Sequence, residues 1–167
     1  MPSSETARVM KRDASGLRDR VLAAIEIPAL GIWLGALIGF AFISAPIAFR
    51  TVAPLDLHRF AMLTSGSIEV LTLTGYTLGG LAIVAAVLRA MTAGDRTWDL
   101  ARVVLVLIAL GLATYERQAI VPQMTAVVDV QSASYHALHQ RSTQVYGGVV
   151  VFGLLALILA AARRDDV

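Results

Sequence analysis

The octapeptide YHALHQRS carries two histidines one helical turn apart, His136 and His139, with Arg141 beside them. Imidazoles at i, i+3 project from neighbouring parts of one helix face, where they could hold a metal ion or haem, and His58, the third histidine, could complete the shell. Met62 and Met124 fall on the same side of the chain as soft sulfur ligands, although thioethers more often fill packing gaps. Two carboxylates, Glu69 and Glu116, stand inside otherwise apolar runs. Paired with histidine they could relay protons or hold a cationic solute; paired with Arg117 and Arg141 they would pin helices together.

Other chemistries find little support. There is no cysteine, so structural disulfides and thiolate metal sites are excluded. Ser142 follows His139 at i+3, but no nucleophile elbow surrounds it, and a bond back to a helix carbonyl is the expected use of its hydroxyl. Phosphate-binding loops and zinc-protease motifs are lacking. The expectation is a binding or structural role rather than bond-making catalysis. No cofactor is required by the sequence, with metal or haem left open.

The elements that carry these residues are apolar. Of 167 residues, 57% are hydrophobic and 16% charged, and the mean hydropathy is +0.71. Long apolar runs at 21–49, 60–88, 103–121 and 145–162 each approach or exceed the roughly 20 residues that cross a bilayer. The first is too long for the apolar part of a cleaved signal, about 7–15 residues. The reading is all-α: an integral membrane four-helix bundle made of two helical hairpins, with helices near 22–49, 58–90, 100–121 and 137–162. A polar tail, 1–20, precedes a single transmembrane domain, 21–167. The lipid bilayer is the first partner; a homo-oligomer or a larger membrane complex is the second. The net charge of +2 and pI near 9.4 reflect topology rather than nucleic acid.

Basic residues gather near the tail, the middle loop and the C-terminus, ten against four on the other side. The positive-inside rule then puts both termini in the cytoplasm, in the cell membrane, or the inner membrane of a bacterium. All three histidines fall on the outer side. At 1.5 Å per residue Glu116 stands about 21 Å from Arg102 at the inner end. One outer-leaflet cluster is therefore expected from Glu69, Tyr115, Glu116, Arg117, His136, His139 and Arg141. Glu26, near the inner end of the first helix, is expected to pair with arginines of the tail.

Packing signals come from glycine. Gly31, Gly35 and Gly39 share one helix face, as do Gly75 and Gly79, and small residues at this spacing let backbones approach closely in lipid. Trp33 is expected in the bundle core, Trp98 at the inner interface, and Pro46 and Pro122 at helix ends or kinks. The two hairpins repeat weakly through these prolines and two Leu-His pairs.

The segments LGIWLGALIGFAFISAPIAFR, LHRFAMLTSGSIEVL, IVPQM and LHQRSTQVYGGVVVFGLLALIL, spread over residues 30–158, resemble the transmembrane-protein-205-like family, the bacterial domain of unknown function 4149. The distinctive positions are Pro122, Met124, Leu138, His139 and Ser142. Family members often have arginine between that proline and methionine, where this chain has Gln123. The resemblance implies four helices and membrane residence without naming a reaction.

Overall fold

A computed structural model describes residues 4–91, 96–127 and 132–162. The C-terminal Arg163 and Arg164, counted for orientation, lie outside these. Among the described residues every regular element is helical. Four segments are long and apolar enough to cross a membrane: Gly16–Thr51, His58–Ala90, Thr97–Ala126 and Ala133–Ala162. This is a multi-pass membrane protein.

Helix α1 (Ser4–Gly39) takes in much of the polar tail and passes through a π-helical turn, Phe40–Ser44, into α2 (Ala45–Thr51). After a short connection α3 (Leu57–Ala90) returns, started by Asp56, whose carboxylate accepts from the Arg59 amide at 2.9 Å. Helix α4 (Thr97–Tyr115) repeats the first pattern, running through a second π-helical turn, Glu116–Ile120, into α5 (Val121–Ala126). Helix α6 (Ala133–Ala162) closes the bundle. The molecule thus has a terminal end, where α1 starts, α3 ends, α4 starts and α6 ends, and a loop end, where α2 and α5 end and α3 and α6 start.

The two π-turns have one cause. Pro46 and Pro122 lack an amide hydrogen, and a proline ring clashes with the carbonyl four residues earlier. Widening the preceding turn relieves that clash. The amides of Ala45 and Val121, each just before a proline, reach back five residues to the carbonyls of Phe40 and Glu116. Both prolines are thus absorbed by π-turns at the same point of the two hairpins, and the weak sequence repeat has this structural counterpart.

Helices α1 and α4 each pack on α3 and α6, giving a ring of four interfaces. Each interface seats a large side chain against a glycine. A Cβ on Gly75 would lie 2.6 Å from the Trp33 indole, one on Gly79 3.2 Å from Leu110, one on Gly148 2.9 Å from Leu112, and one on Gly153 2.5 Å from Leu34. The knobs come from α1 and α4 and the holes from α3 and α6. Close approach of this kind supplies the dispersion contacts that hold helices together in lipid. Gly31, Gly35 and Gly39 meet open space instead. Trp33 is fully buried among Leu30, Leu34, Leu37 and Val106, while Ile32, Val84, Val104 and Ile158 point outward, as a lipid-facing surface requires.

Candidate functional site

Four buried charges meet at the terminal end. Arg89 Nη2 lies 2.9 Å from Glu26 Oε2, Arg102 Nε lies 3.4 Å from Glu26 Oε1, and Arg102 Nη2 also bonds Asp99 Oδ1. None of these residues is more than 4% exposed. Among the described residues two acids face two bases, the compensation that burial away from water demands. Among the described contacts Glu26 is held by Arg89 and Arg102 of the second and third spans, two arginines outside the tail. Arg18 donates to the Leu88 carbonyl at 2.9 Å instead. Arg89 and Arg102 count in the sequence as topology charges at helix ends, which conceals their inward direction.

At the loop end the expected polar cluster resolves into separate contacts. Arg117 bonds Glu69 at 2.8 Å across α3 and the second π-turn, partly exposed. Arg141 lies over the Tyr115 ring, 5.4 Å from its centroid. His139 stacks on Tyr135, with centroids 6.3 Å apart and planes 4° from parallel, and His136 meets the same ring edge-on. His58, His136 and His139 are all exposed. Among the described residues no three His, Asp or Glu side chains gather as a group that could hold a metal.

Glu116 differs from its neighbours. It is 2% exposed, at the start of the second π-turn, and Ser142 donates to its Oε1 at 2.5 Å. The Ser142 hydroxyl thus serves α4 rather than its own helix. Glu116 Oε2 has no hydrogen-bond partner, nor has Nε1 of Trp33, and the two residues line one small pocket of about 10 Å³. Thr72 and Tyr146 also line it. Both of their hydroxyls already donate, Thr72 to the Ile68 carbonyl at 2.8 Å and Tyr146 to the Leu37 carbonyl at 3.0 Å. Their oxygen lone pairs remain able to accept.

A second cavity opens on the outside of the bundle. It is a groove of about 770 Å³ between α1 with its π-turn and α3, lined by Ala36, Gly39, Phe40, Gly66 and Ser67 among others. Leu71 lines both the groove and the Glu116 pocket. Phe40, at the position in the first π-turn that Glu116 holds in the second, forms the groove wall and packs its ring 6.4 Å from that of Tyr146. The two hairpins are alike in backbone at this point and opposite in chemistry. The sequence reading picked out Glu116 and Ser142, but Trp33, Thr72 and Tyr146 carried no polar signal beyond their types.

A family model for a domain of unknown function, DUF4149, matches residues 29–133. The chain belongs to that family. The match takes in Trp33, Gly75, Gly79, Glu116 and most of the terminal-end charges, and ends before Ser142 and Tyr146. No curated protein and no solved structure matches the chain.

Proposed function

We propose that the loop-end half of the bundle binds a small molecule with an apolar body and a hydrogen-bond donor, which reaches Glu116 sideways from the lipid. The single observation behind this reading is the Glu116 carboxyl, 98% buried, with one oxygen fixed by Ser142 and the other without a protein partner. An acceptor left so in a membrane interior is costly unless something uses it. Support also comes from the adjoining groove, whose volume suits a small-molecule site of roughly 300–1,000 Å³. Leu71 lines both the groove and the pocket, and Phe40 of the groove packs against Tyr146 of the pocket. π-turns recur at functional sites, and here the turn sets Glu116 where its counterpart is Phe40.

Under this reading the ion network at the terminal end pins the bundle, and the loop end does the binding. The excess of basic residues at the terminal end supports a loop end that faces away from the cytoplasm. The exposed histidines then sit at the outer membrane edge.

A diazirine-bearing long-chain alcohol tests the reading, with the matching diazirine alkane as control. The protein in nanodiscs should be labelled by the alcohol on α1 and α3 peptides beside the groove. Glu116→Leu should lower that labelling about 2- to 13-fold, the worth of one net hydrogen bond of 0.5–1.5 kcal/mol. Labelling by the alkane should not change. Equal alcohol labelling of both proteins would refute the role of Glu116.

A further inference from the structure

We infer that the small pocket between Trp33 and Glu116 is a built site for a single water molecule that ties three of the four membrane spans together. The two groups without partners are complementary: the Trp33 indole can only donate, and Glu116 Oε2 can accept. Both residues are at least 98% buried, so bulk water does not reach them. Their pocket, of about 10 Å³, is at the lower limit of the roughly 10–15 Å³ that one water needs.

The hydrogen-bond inventory fits one water and little else. The water accepts from Trp33 Nε1 and donates one hydrogen to Glu116 Oε2. Its second hydrogen goes to a lone pair of the Thr72 or the Tyr146 hydroxyl, since both residues line the pocket and both hydroxyl hydrogens are committed elsewhere. That makes three bonds, the usual number for a buried water. A metal cation fits poorly, because the Trp33 N–H would point its positive end at it. A larger ligand has no room unless Leu71 moves.

The site joins Trp33 of α1, Thr72 of α3, Glu116 after α4 and Tyr146 of α6. It lies beside the Trp33–Gly75 contact, which fixes the indole and so the direction of its N–H. The water and the proposed ligand share Glu116 Oε2: a ligand donor arriving from the groove takes the place of the water on that oxygen, and the water holds the pocket when the groove is empty.

The test is nuclear magnetic resonance of the full chain in detergent, with ¹⁵N in the tryptophan indoles and Trp98→Phe used to assign the Trp33 signal. The Trp33 N–H should show a cross-peak to water with opposite signs in the NOE and ROE spectra, which separates a held water from proton exchange. Glu116→Leu should weaken the cross-peak several-fold, with fold judged by circular dichroism and the Trp98 signal. Thr72→Val, a gentler change, should weaken it less. Absence of the cross-peak in the folded wild type would overturn the site, and so would an undiminished cross-peak in folded Glu116→Leu.

Discussion

Arg102 makes the sharpest stability prediction. It is 1% exposed and is shared between Glu26 and Asp99, while Arg89 also holds Glu26. Arg102→Met keeps the apolar stem of the side chain but removes the guanidinium and its positive charge. Glu26 keeps Arg89, and Asp99, which has no exposure, loses its Arg102 ion pair. Breaking a buried pair in this way costs about 3–5 kcal/mol. The folded-to-unfolded ratio should therefore fall roughly a hundred- to several thousand-fold. Arg117→Met serves as comparison, because its pair with Glu69 is 32% and 53% exposed and belongs with surface pairs worth about 0–1 kcal/mol. Equilibrium unfolding in bicelles by titration with dodecyl sulfate, followed by tryptophan fluorescence, measures both. The double change Asp99→Leu/Arg102→Met should recover most of the loss, since Glu26 and Arg89 remain as a neutral pair. If Arg102→Met and Arg117→Met unfolded within about 1 kcal/mol of each other, the pinning role of the network would be refuted.

Two further perturbations separate the packing and surface arguments. Gly75→Ala would set a Cβ 2.6 Å from the rigid Trp33 ring and should cost about 1–3 kcal/mol, whereas Gly31→Ala meets open space and should be neutral or stabilise by up to about 1 kcal/mol, in the same unfolding assay. His136→Ala/His139→Ala removes exposed rings and should change stability by no more than about 0.5 kcal/mol; a loss of several kcal/mol would show that the histidines take part in the bundle's core contacts.

The four spans and the burial of Trp33 were legible because hydropathy and run length report them directly. Glu116 was legible too, since a carboxylate deep in an apolar run is conspicuous. Which glycine face packs inside the bundle was not. In lipid both the packed and the outward faces of a helix are apolar, so the Gly31–Gly35–Gly39 row, which faces open space, looks like Gly75 and Gly79, which receive Trp33 and Leu110. Gly148 and Gly153, which receive Leu112 and Leu34, carried no stronger signal. The terminal-end network was hidden for a different reason. Arg89, Asp99 and Arg102 stand near helix ends, where charges ordinarily reach water, and only the packing of three helices turns them toward Glu26. The early start of α1 at Ser4 lies in polar sequence, where hydropathy is silent about helices.

The central claim is that Glu116 meets a ligand's donor group inside the bilayer. Difference infrared spectroscopy of the protein in nanodiscs, recorded on adding a long-chain alcohol, tests that contact most directly. A shift of the Glu116 carboxyl band that is present in the wild type and absent from folded Glu116→Gln is the result expected. A difference spectrum that is the same in both proteins would contradict the account.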